Sequence, residues 1–497
     1  MGLHHRAPLF EQLAAHAQRN AVSLHVPGHK SRDRAYLGAE EYYGGILRID
    51  LTEIPGLDDL HHPEEAIKEA QELAADCFGA DETLFLVGGS TVGNLAILMT
   101  VCRPGDLLLV QRDVHKSVIH GLTLAGARAV FITPRYEEQS GLTVGLNVQD
   151  VEEGLARYPE AKGLFVTNPS YYGMAADLSP LAQVLHSHGK LLLVDEAHGA
   201  HFGFHPALPS SALAAGADAV VQSTHKMLSA MTMGAMLHLQ GERLNRRQLR
   251  KTLAMLQSSS PSYPIMASLD LSRRMLAEQG RGLMEQGLQT MKHIQQLLAA
   301  QQRWKVWTLP ESLASAGCRQ DPFKMVISDA SQRISGYALK EQLELRGCYP
   351  ELADPRQVLC AFSFMTARRD GERLVEALAE IGQAVERDDV PATAMVLNEA
   401  ERTVMEGSLS EPVYFGWSRI HDEDSIETVW VPVAQCEGRR AAEMIVPYPP
   451  GIPVLYPGER ITKHTAVLLE RLAELGSRFH GHDVAKTGTV PVLQESK

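Results

Sequence analysis

Between residues 83 and 222 the chain repeats one pattern: a short apolar run, a polar turn, then a stretch of helical spacing. The runs fall at 83–87, 107–110, 128–132, 163–167, 190–194 and 219–222. Each is apolar at consecutive positions, so each expects burial on both faces. Such strands alternating with helices predict an α/β fold with a mostly parallel sheet covered on both sides. Ligands of these sheets sit at the carboxyl ends of the strands. The residues directly after each run are therefore where chemistry should collect.

After the first run comes Gly88-Gly89-Ser90-Thr91-Val92-Gly93-Asn94, opening an apolar helix to Val101. A Gly-rich turn into a helix offers backbone N–H groups and a positive dipole end, and Ser90 and Thr91 add hydroxyls, so a phosphate fits there. It matches neither GxxxxGK[ST] nor GxGxxG, which weighs against ATP and NAD. Taken alone, it is a turn. His115 lies shortly after the second run, in Asp113-Val114-His115-Lys116-Ser117, and Asn168-Pro169-Ser170-Tyr171-Tyr172-Gly173 follows the fourth. The fifth leads into Asp195-Glu196-Ala197-His198-Gly199, and the sixth into Ser223-Thr224-His225-Lys226-Met227-Leu228.

A lysine that forms a Schiff base and an acid that pairs with a pyridinium nitrogen are what pyridoxal phosphate (PLP) requires of a protein. Lys226 and Asp195 supply that pair, Asp195 keeping the nitrogen protonated. His115 offers a flat ring to stack on one face of the cofactor, with Ala197 small enough to lie against the other. Ser90, Thr91 and Ser223 are phosphate ligands, with His225 a further candidate. His198 reaches toward the ring hydroxyl or the lysine. Lys116 and Lys30 are rivals to Lys226, but no strand-end acid precedes Lys116 by a few dozen residues. The bland alternatives are an Asp that caps the following helix and histidines that are structural. Three histidines, each following a run, weigh against the second.

The remaining chain frames this unit. Residues 7–20 and 64–77 read as amphipathic helices around a polar loop, 50–63, in which Asp58, Asp59, His61 and His62 are conceivable metal ligands. Adjacent ligands rarely converge on one ion, so no metal is expected. Helices are expected at 242–257 and 266–302, then an α+β texture, a linker at 387–393, and a Pro-rich third region. We divide the chain into an N-terminal segment (1–60), a PLP-binding large domain (61–303), a small α+β domain (304–390) and a C-terminal domain (391–497). At 497 residues one core would not suffice. A net charge of −13 disfavours nucleic acid and mildly suits a cationic small molecule. Six scattered cysteines without a CxxC pair argue against zinc and disulfides and for a reducing cytoplasm. No apolar run is long enough for a membrane span, and the N-terminus lacks an apolar signal core.

Together these segments resemble the Orn/Lys/Arg decarboxylase family of fold-type I PLP enzymes. The resemblance rests on HVPGHK (25–30), GLDDLHHP (56–63), GGSTVGN (88–94), DVHKS (113–117), NPSYYG (168–173) and DEAHGAH (195–201). It continues through STHKML (223–228), SSPSYPIMASLD (259–270), YPPGIP (448–453) and PGE (457–459). It implies a PLP-dependent transferase-like large domain with a seven-stranded sheet. It also implies that Lys226 is the cofactor lysine, Asp195 the pyridinium partner and His115 the stacking ring, with Ser90, Thr91 and Ser223 on the phosphate. By the same resemblance His225 assists at the phosphate and in the protonation step. Glu459 lies near the distal cation of the substrate, across a dimer interface. The implied activity is decarboxylation of a basic L-amino acid (arginine first, then lysine, then ornithine) in polyamine biosynthesis. The implied assembly is a homodimer or dimer of dimers, since there is no room for the N-terminal wing of the large members. His198 stands where the acid-stress enzymes carry an aromatic. An aminotransferase, a catalytically silent regulatory homologue and, last, a metal hydrolase remain the alternatives.

Overall fold

The computed structural model describes residues 3–19, 21–32, 35–36, 38–137, 140–387, 409–416, 428–448, 453–475 and 477–494. The expected linker at 387–393, beyond Arg387, and most of the Pro-rich motif 448–453 lie outside the described residues.

Helices α1 (Pro8–Gln18), α2 (Glu40–Leu47) and α3 (Ala66–Phe78) lead into the sheet. Then come β1 (Glu82–Leu86), α4 (Gly89–Val101), β2 (Leu107–Gln111), α5 (Lys116–Ala125), β3 (Arg128–Ile132), α6 (Val148–Arg157) and β4 (Gly163–Thr167). The chain continues with β5 (Met174–Ala175), α7 (Ser179–Ser187), β6 (Leu191–Asp195), β7 (Ala219–Gln222), the single turn α8 (Thr224–Met227), β8 (Ala235–Leu239), α9 (Arg246–Leu256) and α10 (Tyr263–Ala299). A second unit follows: β9 (Trp304–Val306), α11 (Glu311–Ser315), β10 (Arg319–Gln320), β11 (Lys324–Asp329), α12 (Gly336–Glu344), β12 (Leu352–Ala353), β13 (Gln357–Ala361) and α13 (Arg368–Glu386). Beyond it lie β14 (Val413–Tyr414), β15 (Thr428–Pro432), β16 (Val446–Tyr448), α14 (Lys463–Glu474), β17 (Arg478–His480) and β18 (Thr489–Leu493).

The main sheet runs β1-β8-β7-β6-β4-β2-β3-β14. Its inner pairs β2/β3, β2/β4, β4/β6 and β6/β7 are parallel, while β8 and β14 run against their neighbours. Alternate residues serve opposite faces. Leu108, Val110, Leu193 and Val221 pack with α4, α5 and α9, whereas Leu107, Leu109, Leu192 and Val194 pack with α6 and α7. The sheet has eight described strands rather than seven. The extra one, β14, pairs with the outer edge of β3 and covers backbone groups that an open edge would leave unpaired. The helix expected from residue 242 starts at Arg246, because the Asn245 side chain accepts from the Gln248 N–H at 3.0 Å and caps it there.

The smaller sheet, β12-β13-β11-β9, is antiparallel and packs with α10, α12 and α13. Helix α10 ties the parts together. Its first turns (Tyr263, Met266, Leu269) join the cluster of α1, α3 and β1, and its later turns (Met284, Met291, Ile294) join the smaller sheet. At Gly287 a Cβ would stand 2.8 Å from the Phe364 backbone, so the approach requires glycine.

Candidate active site

β7 ends at Gln222 and turns straight into α8, which carries Lys226. The chain then folds back on itself. The His225 N–H donates to Gly234 O at 3.1 Å, and His225 Nδ1 contacts the same carbonyl at 3.0 Å. The Gly89 N–H donates to Met233 O at 2.9 Å, tying this loop to the start of α4. A Cβ at Gly234 would sit 2.9 Å from Met231 O, so the return demands a bare backbone.

Helix α4 can lie low on the sheet because of Gly93. A Cβ there would be 2.9 Å from Val221 Cγ1 and 2.8 Å from Leu86 Cδ1. Ser90 and Thr91 stand in the first turn of α4, whose N-cap, Gly88, offers no side-chain cap. Beyond Val221, Ser223 and Thr224 are buried, and neither hydroxyl has a hydrogen-bond partner. Unpaired buried hydroxyls are costly and rare. A phosphate carries enough acceptor oxygens to satisfy them together with the open N–H groups of α4, so these residues fit the phosphate end of PLP.

The ring end fits as well. Asp195, buried at the tip of β6, accepts from Asn94 Nδ2 at 2.8 Å on Oδ2 and from the Ala197 N–H at 3.0 Å on Oδ1. Asn94 Nδ2 also donates to Ser117 Oγ at 2.9 Å. His115 is the N-cap of α5; its Nδ1 accepts from the Ser117 N–H at 3.2 Å and lies 2.8 Å from Ser117 Oγ. Burial holds the His115 ring below its usual pKa against the pull of Asp195, which favours a neutral, stackable imidazole. Sequence reasoning passed over Asn94 and Ser117. Asn94 lies four residues after Ser90 on one helix, so the two share a face, and that spacing was a readable signal.

His198, the residue directly after the Asp195–Ala197 turn, stands between two amines. Its Nε2 is 3.1 Å from Lys226 Nζ and its Nδ1 is 3.1 Å from Lys324 Nζ. Burial, then Lys324 and Lys226, push its pKa well down, so the ring is neutral. Burial also lowers both lysines, with Asp195 and Glu351 opposing at Lys226, and Asp321 and Glu351 opposing at Lys324. Tyr171 packs against the His198 ring at 5.1 Å between centroids. Lys324 is a third residue that the sequence reading missed.

The other candidates have different partners. Lys30 Nζ donates to His25 O in the N-terminal loop, and Lys116 opens α5. Asp58, weighed as a metal ligand, instead caps α3: its carboxylate accepts the N–H groups of Asp59, Glu64, Glu65, Ile67 and Lys68. Glu459 pairs with Arg112 at 2.6 Å and accepts from the Tyr456 N–H at 3.1 Å. Its carboxylate is thus engaged by a cation of its own chain.

Comparison with known proteins agrees with this architecture. Residues 7–370 match the family model described as Orn/Lys/Arg decarboxylase, major domain, and residues 421–496 match its C-terminal domain. An uncharacterised protein of Bacillus subtilis, YaaO, is 41% identical over 482 residues, 96% of each chain. An arginine decarboxylase of the same organism is 35% identical over 499 residues, 99% of each. The crystal structure of the Francisella novicida lysine decarboxylase LdcF superposes with a TM-score of 0.82 at 22% identity, over 98% of this chain and 81% of that one.

Proposed function

The chain belongs to the Orn/Lys/Arg decarboxylase family, and from that premise we propose that it uses PLP to decarboxylate a basic L-amino acid, arginine before lysine or ornithine. One observation carries the cofactor assignment. Lys226, Asp195 and the unpartnered hydroxyls of Ser223 and Thr224 converge where the carboxyl ends of β6 and β7 meet the start of α4. The preference for arginine is supported by the full-length relative named for that reaction, with the named lysine decarboxylase more distant.

PLP, when bound, supplies an aldehyde for an amino group and a ring that takes up the electron pair left behind by CO2. This chain's residues do the rest. Lys226 provides the amine that holds the cofactor and yields its place to the substrate. Asp195, fixed by Asn94 and the Ala197 N–H, keeps a carboxylate against the ring nitrogen. Ser90, Thr91, Ser223 and Thr224 bind the phosphate, with His225 alongside. His115 and Ala197 bracket the ring. His198 holds a proton beside Lys226, where one must return to the α-carbon.

A homodimer or dimer of dimers is part of this reading. Val22, Leu24, Tyr42, Met231 and Met233 are exposed, and a second copy would cover them. A cytoplasmic enzyme fits the unpaired cysteines and the absence, among the described residues, of any helix long and apolar enough to cross a membrane. The test is to incubate PLP-loaded protein separately with arginine, lysine and ornithine, measuring CO2 and amine together. One amine matched by equal CO2 establishes reaction and substrate. A keto acid without CO2 would move the assignment to an aminotransferase.

A further inference from the structure

Lys324 heads a strand of the smaller sheet, 126 residues from His198 in sequence, yet its amine is buried at the centre of the site. The surroundings are shaped around it. Gly173, at φ +84°, leaves room where a Cβ would stand 2.6 Å from Lys324 Cβ, and the Asp321 N–H anchors the same turn by donating to Gly173 O at 2.8 Å. Among the described residues, no carboxylate forms an ion pair with either Lys324 or Lys226. Each amine has the His198 ring as its side-chain partner.

Counting protons restricts what this line can be. A neutral imidazole carries one N–H and one lone pair. Two ammonium groups cannot both be satisfied by it, so one of the two lysines must be an uncharged amine facing the N–H. Lys226 has to be uncharged to attack an aldehyde.

We propose that Lys324 is the charged member, donating to His198 Nδ1 and thereby fixing the proton on Nε2, where it holds Lys226 as the free amine. Lys324 is therefore a positioning residue, acting on Lys226 through His198. When Lys226 gives way to substrate, the same Nε2–H faces the vacated position. The proton it delivers to the α-carbon is replaced at Nδ1 from the Lys324 ammonium, leaving ring and lysine both neutral until solvent recharges the lysine. The inference rests on Lys226 being the cofactor lysine. The charged or titratable groups around the line are Asp195 on β6, Glu351 before β12, Asp321 before β11, His115 before α5, Tyr171 in the turn after β4, and His201 and His225 on the adjoining turns.

The experiment uses full-length apoprotein and follows acetylation of Lys226 by acetic anhydride against pH, read by peptide mass spectrometry. In Lys324→Met the tautomer is released, and Lys226 can donate to a ring lone pair and keep its proton. Its labelling midpoint rises by a pH unit or more, so labelling near neutral pH slows by about tenfold. Lys324→Arg, which keeps the charge and the donor, leaves the midpoint near that of wild type. In a His198→Leu background, Lys324→Met has no further effect. An unchanged midpoint in Lys324→Met, or a shift that persists without His198 and so reports charge repulsion alone, overturns the proposal. Borohydride fixation of PLP separates the two readings. Cofactor found on another lysine defeats the assignment of Lys226, whereas cofactor on Lys226 with an unmoved midpoint defeats only the relay.

Discussion

The Asn94 side-chain amide donates to Asp195 Oδ2 at 2.8 Å, across 101 residues of sequence and between two fully buried groups. This bond makes one helix responsible for both ends of the site. In the proposed site the first turn of α4 would face the phosphate, and its second turn holds the carboxylate that would meet the ring nitrogen.

Asn94→Ala leaves Asp195 Oδ2 without its donor in a buried place. A hydrogen bond to a charged group contributes about 1.5–3 kcal/mol. PLP affinity is expected to fall by roughly ten- to a hundredfold on that basis. Titrating PLP into apoprotein and following its visible absorbance measures this. Wild-type affinity in the variant would mean that Asp195 is held adequately by the Ala197 N–H alone.

Gly93→Ala tests the seating of α4. The new Cβ would lie 2.8 Å from Leu86 Cδ1 and 2.9 Å from Val221 Cγ1, inside van der Waals contact. Overpacking of this kind costs about 1–3 kcal/mol, while the better helix propensity of Ala returns about 1 kcal/mol. Net destabilisation in urea unfolding, together with weaker PLP binding, is the expected pair of results. Unaltered binding would separate the seating of α4 from the phosphate position.

Much of this was legible in the chain because the inner strands are short, continuous apolar runs, as in Leu107-Leu108-Leu109-Val110, bounded by polar turns. The residues after those runs could be read as a cluster from the sequence alone. Two strands could not. β8 carries a histidine, His238, which is buried only because Thr83 Oγ1 lies 2.8 Å from its Nδ1 and Gln222 Oε1 lies 3.1 Å from its Nε2. β14 is two residues long, too short for any periodicity. Lys324 was invisible for a different reason: a lysine before Met325-Val326-Ile327 reads as a solvated strand end. Only the packing of the smaller sheet against the NPSYYG turn reveals where its amine goes.

Glu196 gives a pH-dependent prediction. Burial lifts its carboxyl from the ordinary 4.5 to about 7, although Gln222, Ala212 and Ser211 all donate to it. A carboxyl whose pKa is raised on folding binds more protons in the native state. Its stabilising contribution is complete below about pH 4.5 and is lost as pH climbs through about 7. Relative to Glu196→Gln, wild-type protein should therefore lose up to about 3 kcal/mol across that window, at about 1.4 per pH unit. Chemical unfolding at several pH values reads the difference, and parallel profiles for the two proteins would contradict it.

The pair Arg112–Glu459 makes the last prediction, because it joins the C-terminal region to the main sheet. The two side chains meet at 2.6 Å, with 15% and 12% of their surfaces exposed. The guanidinium lies 5.5 Å from the centroid of the Tyr456 ring, which in turn stacks on Phe131 at 4.1 Å, and the Tyr456 hydroxyl donates to Arg112 O. Burial works against the Arg112 charge, but Glu459 and Tyr456 outweigh it and hold its pKa raised. Removing either partner alone strands a charge beside an aromatic stack, whereas removing both does not. Arg112→Met and Glu459→Gln should each destabilise the protein, and the double variant should lose less than their sum by about 1–3 kcal/mol of coupling. If Glu459 instead acts mainly on substrate, Glu459→Gln raises KM for the basic amino acid while stability and the cycle stay additive. A thermal-unfolding cycle run beside steady-state kinetics separates these outcomes, since one moves Tm and the other KM.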